Sequence, residues 1–178
     1  MYKRTIELIE LTEKWGKERN FYSENGTTPE HQFVKLMEEF GESAASISRG
    51  KNPKDDIGDQ IVVLIHIARL CGTSLKKERF ENALIKDIFY KEVSLQENIL
   101  YLSINYGDLS RSILERNAKG NVGLYNFEFA LENVIVRLAA IASSYSFGLT
   151  ECLEHSYNEI KDRKGKMVNS TFVKESDL

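Results

Sequence analysis

The chain has 178 residues, 42% of them hydrophobic and 29% charged, with a formal net charge of −3 and a pI near 5.7. That length suits one domain with a sizeable core, and the acid-leaning balance gives no global attraction to nucleic acid or to anionic membranes. Two cysteines, Cys71 and Cys152, and three histidines, His31, His66 and His155, show neither zinc-ligand nor C-x-x-C spacing, which points to a reducing, cytoplasmic setting.

The opening "MYKRTIELIELTEKWGKERN" is too charged for a secretory core, and Ile6, Leu8, Ile9 and Trp15 give it one apolar helical stripe that fades at "SENGTT". Thr28 before Pro29, a capping hydroxyl followed by proline, starts a second helix to about Ser48, and "RGKNP" stops it. Asn52 before Pro53 starts a third, ending near Gly72. Its run "IVVLIHIARLC" must be core and is far too short to cross a bilayer. "TSLKKERFENALIKDIFYKE" reads as a fourth helix. Ser94 with Glu97 forms a capping box for a fifth, running to about Arg116. After the loop "NAKGNVGLYN", a sixth runs from Asn126 to Phe147 and a seventh from Thr150 to Lys164, closed by Gly165. Alternating strand patterns are missing, so the fold class is all-α, a helical bundle in a single domain.

The pattern repeats. "LMEEFGESAASI" lines up with "LSINYGDLSRSI", pairing Leu36 with Leu102, Gly41 with Gly107, Glu42 with Asp108, Ser46 with Ser112 and Ile47 with Ile113. Gly72 likewise matches Gly148, and Lys86-Asp87 matches Lys161-Asp162. An intact unit over about 5–75 and a degenerate one over about 92–165 follow. In the second, Glu38 and Glu39 become Ile104 and Asn105, and Asp59 falls opposite Ile135 or its neighbours.

Glu39 and Glu42 are three apart on the second helix and share a face, with Glu38 four before Glu42. On the third, Asp56 and Asp59 repeat the spacing, and Asp59 borders the buried run, where an uncompensated carboxylate is costly. Two antiparallel helices offering paired carboxylates to one seam make an all-oxygen site for Mg²⁺, with Mn²⁺ able to substitute. The bland reading is a solvated acidic face, to which Asp55 belongs. No Glu-x-x-His spacing supports di-iron chemistry. Near the C-terminus, Asn158 and Lys161 share a face and Lys164 follows, so the lysines can grip phosphates or simply complement the helix dipole. Gln32 and Lys35 lie one turn and more before Glu39, within reach of a base edge and a phosphate. Trp15 can stack on a base or serve as core.

Together "QFVKLMEEFGE" and "DDIGDQIVVL" resemble the E-E-x-x-E … E-x-x-D pattern of the MazG-like all-α nucleoside triphosphate pyrophosphohydrolases, a superfamily that includes dimeric dUTPases and dCTP pyrophosphatases. The ending "NEIKDRKGKMVNSTFVKE" is similar to the tail of short phage-type MazG-like proteins. The resemblance covers about residues 5–75 and 148–176. It implies Mg²⁺-dependent hydrolysis of a (deoxy)nucleoside triphosphate to the monophosphate and pyrophosphate, for nucleotide-pool control. It also implies Glu39, Glu42 and Asp59 as metal ligands, with Asp56 where the family has glutamate. Glu38 then orients or deprotonates the attacking water, Glu39 acts beside it, and Lys35, Asn158 and Lys161 touch substrate. The expected assembly is a homodimer acting on a nucleoside triphosphate. The alternative is a helical-bundle interaction module that keeps the fold without catalysis.

Overall fold

The computed structural model describes residues 2–78, 80, 84, 93–119 and 124–178. Among the described residues six α-helices follow in order: α1 (Tyr2–Glu18), α2 (Pro29–Ser48), α3 (Lys54–Leu70), α4 (Leu95–Lys119), α5 (Leu124–Ser144) and α6 (Leu149–Ile160). The predicted fourth helix over 73–92 and the Lys86-Asp87 match fall largely outside the described residues.

Apolar spacing accounts for which faces are buried. On α1, Thr5, Leu8, Ile9, Thr12 and Trp15 recur every three or four residues and are all inside. The Thr28 hydroxyl accepts from the His31 backbone N–H at 3.3 Å, and Pro29 occupies the first turn of α2 as predicted. The central element is α3: from Ile57 to Ala68 every residue is buried except Asp59. It packs against α1, α2, α5 and α6, and α4 and α5 form a second closely packed pair.

The two pairs meet through aligned residues. Phe40 and Tyr106 occupy equivalent positions in the repeat and touch edge to face, ring centroids 5.2 Å apart. The Tyr106 hydroxyl donates to Gln60 Oε1, and Gln60 Nε2 donates to the Asp56 carbonyl at 3.0 Å. Both groups lie in the core, so their mutual satisfaction offsets their desolvation.

Two expectations need correction. The last helix ends at Ile160 rather than Lys164, and a two-stranded antiparallel sheet follows: β1 (Gly165–Val168) and β2 (Thr171–Lys174). Asn169 and Ser170, at φ 48° and 63°, form the two-residue loop that matches strand twist. Strands of four residues are too short for alternation to stand out. Their docking supplies what the local pattern lacks: Phe172 packs at 5.4 Å from Trp15 and 5.8 Å from Phe21. The carbonyls left open at the end of α6 are taken by α1. Trp15 Nε1 donates to Ile160 O at 2.8 Å, and the Arg19 guanidinium donates twice to Arg163 O at 3.0 and 2.7 Å.

Candidate metal and phosphate site

The predicted carboxylates are carried by α2 and α3, which pack against each other. Glu39 is 4% exposed, held inside by the same face that buries Leu36 and Ser43. Its Oε1 takes the Lys35 ammonium at 2.6 Å, and Lys35 also reaches Glu38 at 2.8 Å. Its Oε2 is buried with no hydrogen-bond partner. An ionised oxygen in that position is expensive. Burial raises the pKa of Glu39, the Lys35 contact works against the rise, and Glu42 and Glu38 add to it. Asp59 is pushed up to about 6, first by burial and then by the charges of Glu39 and Asp55, while Ser156 and Arg163 pull the other way. The charge of Glu39 thus disfavours ionisation of Asp59.

Gly58 lets α3 approach α6 closely. A Cβ there would stand 2.2 Å from Ser156 Oγ and 2.3 Å from the Cys152 carbonyl, so α3 and α6 touch backbone to backbone beside Asp59. Ser156 Oγ also donates to the Asp55 carbonyl at 3.2 Å. Neither Ser156 nor Arg163 stands out in the sequence. A mid-helix glycine between Asp56 and Asp59 was the available signal of close approach.

The other predicted residues fall as follows. Glu38 and Glu42 are exposed on α2, and Asp56 is half-buried on the first turn of α3. Three ligand atoms from the predicted quartet do not come within 4.8 Å of one another; the trio that does is Asp55, His155 and Glu159, all exposed. Like-charge repulsion and the pull of Lys35 on Glu39 account for the spread. Asn158 Oδ1 accepts from Lys161 at 3.0 Å, and both remain at the surface, as does Lys164. Gln32 is buried and donates to the Thr27 hydroxyl at 3.1 Å, so its amide is already engaged. Trp15 is core: Phe21 and Phe172 pack on it, Arg19 covers its ring at 4.5 Å, and no face is left for a base.

The predicted donor set has the chemistry of a hard-cation site without being gathered into one coordination shell. It is all oxygen, it includes a buried and unpartnered carboxylate oxygen, and an ammonium already sits where positive charge is needed. A cleft of about 650 Å³ lies elsewhere, at the C-terminal ends of α1 and α3. There Lys76 is paired with Glu10 and Glu13, and both helix ends carry negative dipole charge.

Over 65 residues the chain is 42% identical to an uncharacterized 18.2 kDa protein in the rep-hol intergenic region of Haemophilus phage HP1 (strain HP1c1), covering 35% of this chain and 39% of that protein. The match thus spans well under half the relative's length. No family model and no solved structure matches. Among the described residues, no helix is long and apolar enough to cross a membrane.

Proposed function

We propose that the protein is a Mg²⁺-dependent nucleoside triphosphate pyrophosphohydrolase that releases the monophosphate and pyrophosphate, and that it works as a cytoplasmic homodimer. The observation that carries this reading is Glu39, a buried carboxylate with one oxygen unpartnered, set against Asp59. Lys35 holds the other Glu39 oxygen, and the charge that remains on this pair is costly in the fold unless a further cation joins it.

Glu39, Glu42, Asp56 and Asp59 would hold Mg²⁺, which when bound neutralises phosphate charge and polarises water. Glu38 is exposed at the rim and accepts the water's proton through a carboxylate oxygen. Lys35 bridges Glu38 and Glu39 and moves to a phosphate oxygen once Glu39 has another cation. Lys161 and Lys164, exposed at the end of α6, meet the distal phosphates, and Asn158 sets the position of Lys161. Trp15 and Gln32 are engaged within the fold, so base recognition falls to other groups.

The test follows pyrophosphate and orthophosphate separately, with each (d)NTP and Mg²⁺, beside a Glu39→Ala/Glu42→Ala variant of unchanged helicity. Pyrophosphate release that vanishes in the variant supports the reading and ranks the bases. If no nucleotide turns over in folded protein, the activity is refuted and the interaction-module reading takes its place.

A further inference from the structure

Helix α4 carries a second surface that the nucleotide site does not use. Leu100, Ile104, Gly107, Arg111 and Leu114 follow one another at intervals of four, three, four and three, the spacing of a coiled-coil seam. All five are exposed. Leu100 is 65%, Ile104 60% and Leu114 64% open to solvent, so three large apolar side chains are left uncovered along one helix face. Gly107 sits at the centre of the seam. Glycine weakens a helix interior, yet nothing in the chain lies within 4 Å of where its Cβ would be. The surface over Gly107 is therefore open to the close approach of a partner backbone.

We infer that α4 is a homodimer interface, packing antiparallel on α4 of a second copy with the two-fold axis at Gly107. The seam is self-complementary about that point. Leu100 and Leu114 lie seven residues to either side, so each leucine meets the other leucine of the partner helix. Ile104 lies three residues before the axis and Arg111 four after it, so the arginine's methylenes cover the partner's isoleucine. A parallel pairing in register would instead set Arg111 against its own copy, which like charge disfavours. On α2 the aligned stripe reads Val34, Glu38, Gly41, Ala45 and Ser48, with one exposed large apolar residue and an acid, and makes no equivalent seam.

The inference rests on the dimeric part of the proposed function and not on catalysis, because it is read without nucleotide. Sedimentation of the wild-type chain is expected to give a dimer at high micromolar concentration, and Leu100→Glu/Leu114→Glu a monomer of unchanged helicity. Cysteine scanning fixes the geometry. Gly107→Cys is expected to form a disulfide-linked dimer on mild oxidation, which needs Cα atoms within about 7 Å, whereas Val34→Cys is not. The native thiols do not interfere, since Cys71 and Cys152 are buried and pushed up to about 11 and about 12 by that burial. A monomeric wild type, a dimer that survives the double glutamate change, or cross-linking at Val34 in place of Gly107 would each overturn the assignment.

Discussion

The α2–α3 pair and the α4–α5 pair share a sequence pattern and differ most at one position. Glu39 in the first is buried with an oxygen left over, whereas Asn105, its counterpart, donates its amide to the Asn133 carbonyl at 3.1 Å. Ordinary packing favours the second solution: a neutral side chain with its hydrogen bond made locally. The first pair keeps a charge that the rest of the structure does not fully balance. Neighbouring positions follow the same division. Glu38 becomes Ile104 and Asp59 falls opposite Ile135 or its neighbours, so the second pair has exchanged carboxylates for apolar side chains, Ile104 exposed and Ile135 buried. One pair keeps a buried carboxylate oxygen without a partner, the other makes its polar contacts within the chain.

The sharpest way to break this comparison is kinetic. Glu38→Gln is expected to lower kcat by about 100-fold or more, as removal of a general base does, while Asn105→Ala in the other pair leaves kcat within a few-fold. Equal losses from both would remove the distinction between the pairs.

A structural contrast comes next. Gly58 falls opposite Val134 or its neighbours, and a Cβ at Gly58 would meet the Cys152 backbone of α6. Gly58→Ala should destabilise by about 1–3 kcal/mol through overpacking, read as a lower urea midpoint. Val134→Ala should destabilise for the opposite reason, a cavity at a fully buried site. A Gly58→Ala variant as stable as the wild type would show that α3 and α6 can separate freely.

Asp59 supplies a smaller effect with an unusual sign. Its pKa of about 6 in the folded chain lies above its ordinary value, so the folded state binds the proton more tightly. Stability is therefore lost as pH rises from about 4 to about 6. Asp59→Asn should stabilise the chain at pH 7, without added divalent cation, by on the order of 1–2 kcal/mol. Mg²⁺ should raise the Tm of the wild type and leave that of the variant unchanged. Thermal melts with and without Mg²⁺ check both, and a less stable Asp59→Asn protein contradicts the account.

The smallest effect belongs to His66, which is fully buried and hydrogen-bonded through Nδ1 to the Tyr22 hydroxyl at 2.7 Å. Burial lowers its pKa to about 3. The unfolded chain takes up that proton below about pH 6.5 and the folded chain does not, so stability falls with pH in this window. Between pH 7 and 6 the loss should stay below about 1 kcal/mol and then steepen. His66→Gln should flatten the curve in urea titrations across pH 5–7.

Helix positions were largely legible because they depend on local rules. The Thr28-Pro29 start holds, and the Ser94–Glu97 capping box closes at 3.2 and 2.9 Å. The uninterrupted apolar run of α3 could only be central. The hairpin was hidden because each strand is four residues long and is fixed by Phe172 docking on residues 150 positions earlier. At the site, carboxylate spacing exposed Glu39 and Asp59, which share a seam between adjacent helices. Ser156 and Arg163 come from another part of the chain and carry no local signature, so only tertiary packing brings them in. Trp15 was open to two readings, since a lone tryptophan beside a charged helix end looks alike whether it is covered or free.

That covered tryptophan has an optical consequence. It is the chain's single tryptophan, and its indole touches α6 through Ile160 and the terminal hairpin through Phe172. Emission from the native protein thus reports on one joint more than 20 residues from Glu39 in sequence, with a quenching imidazole, His66, at 5.9 Å. Undocking of the hairpin would wet the indole and shift its emission to the red while the helical signal in the far ultraviolet stayed constant. A single fluorophore placed by evolution at the closure of the chain separates local opening of the C-terminus from global unfolding, with no label added.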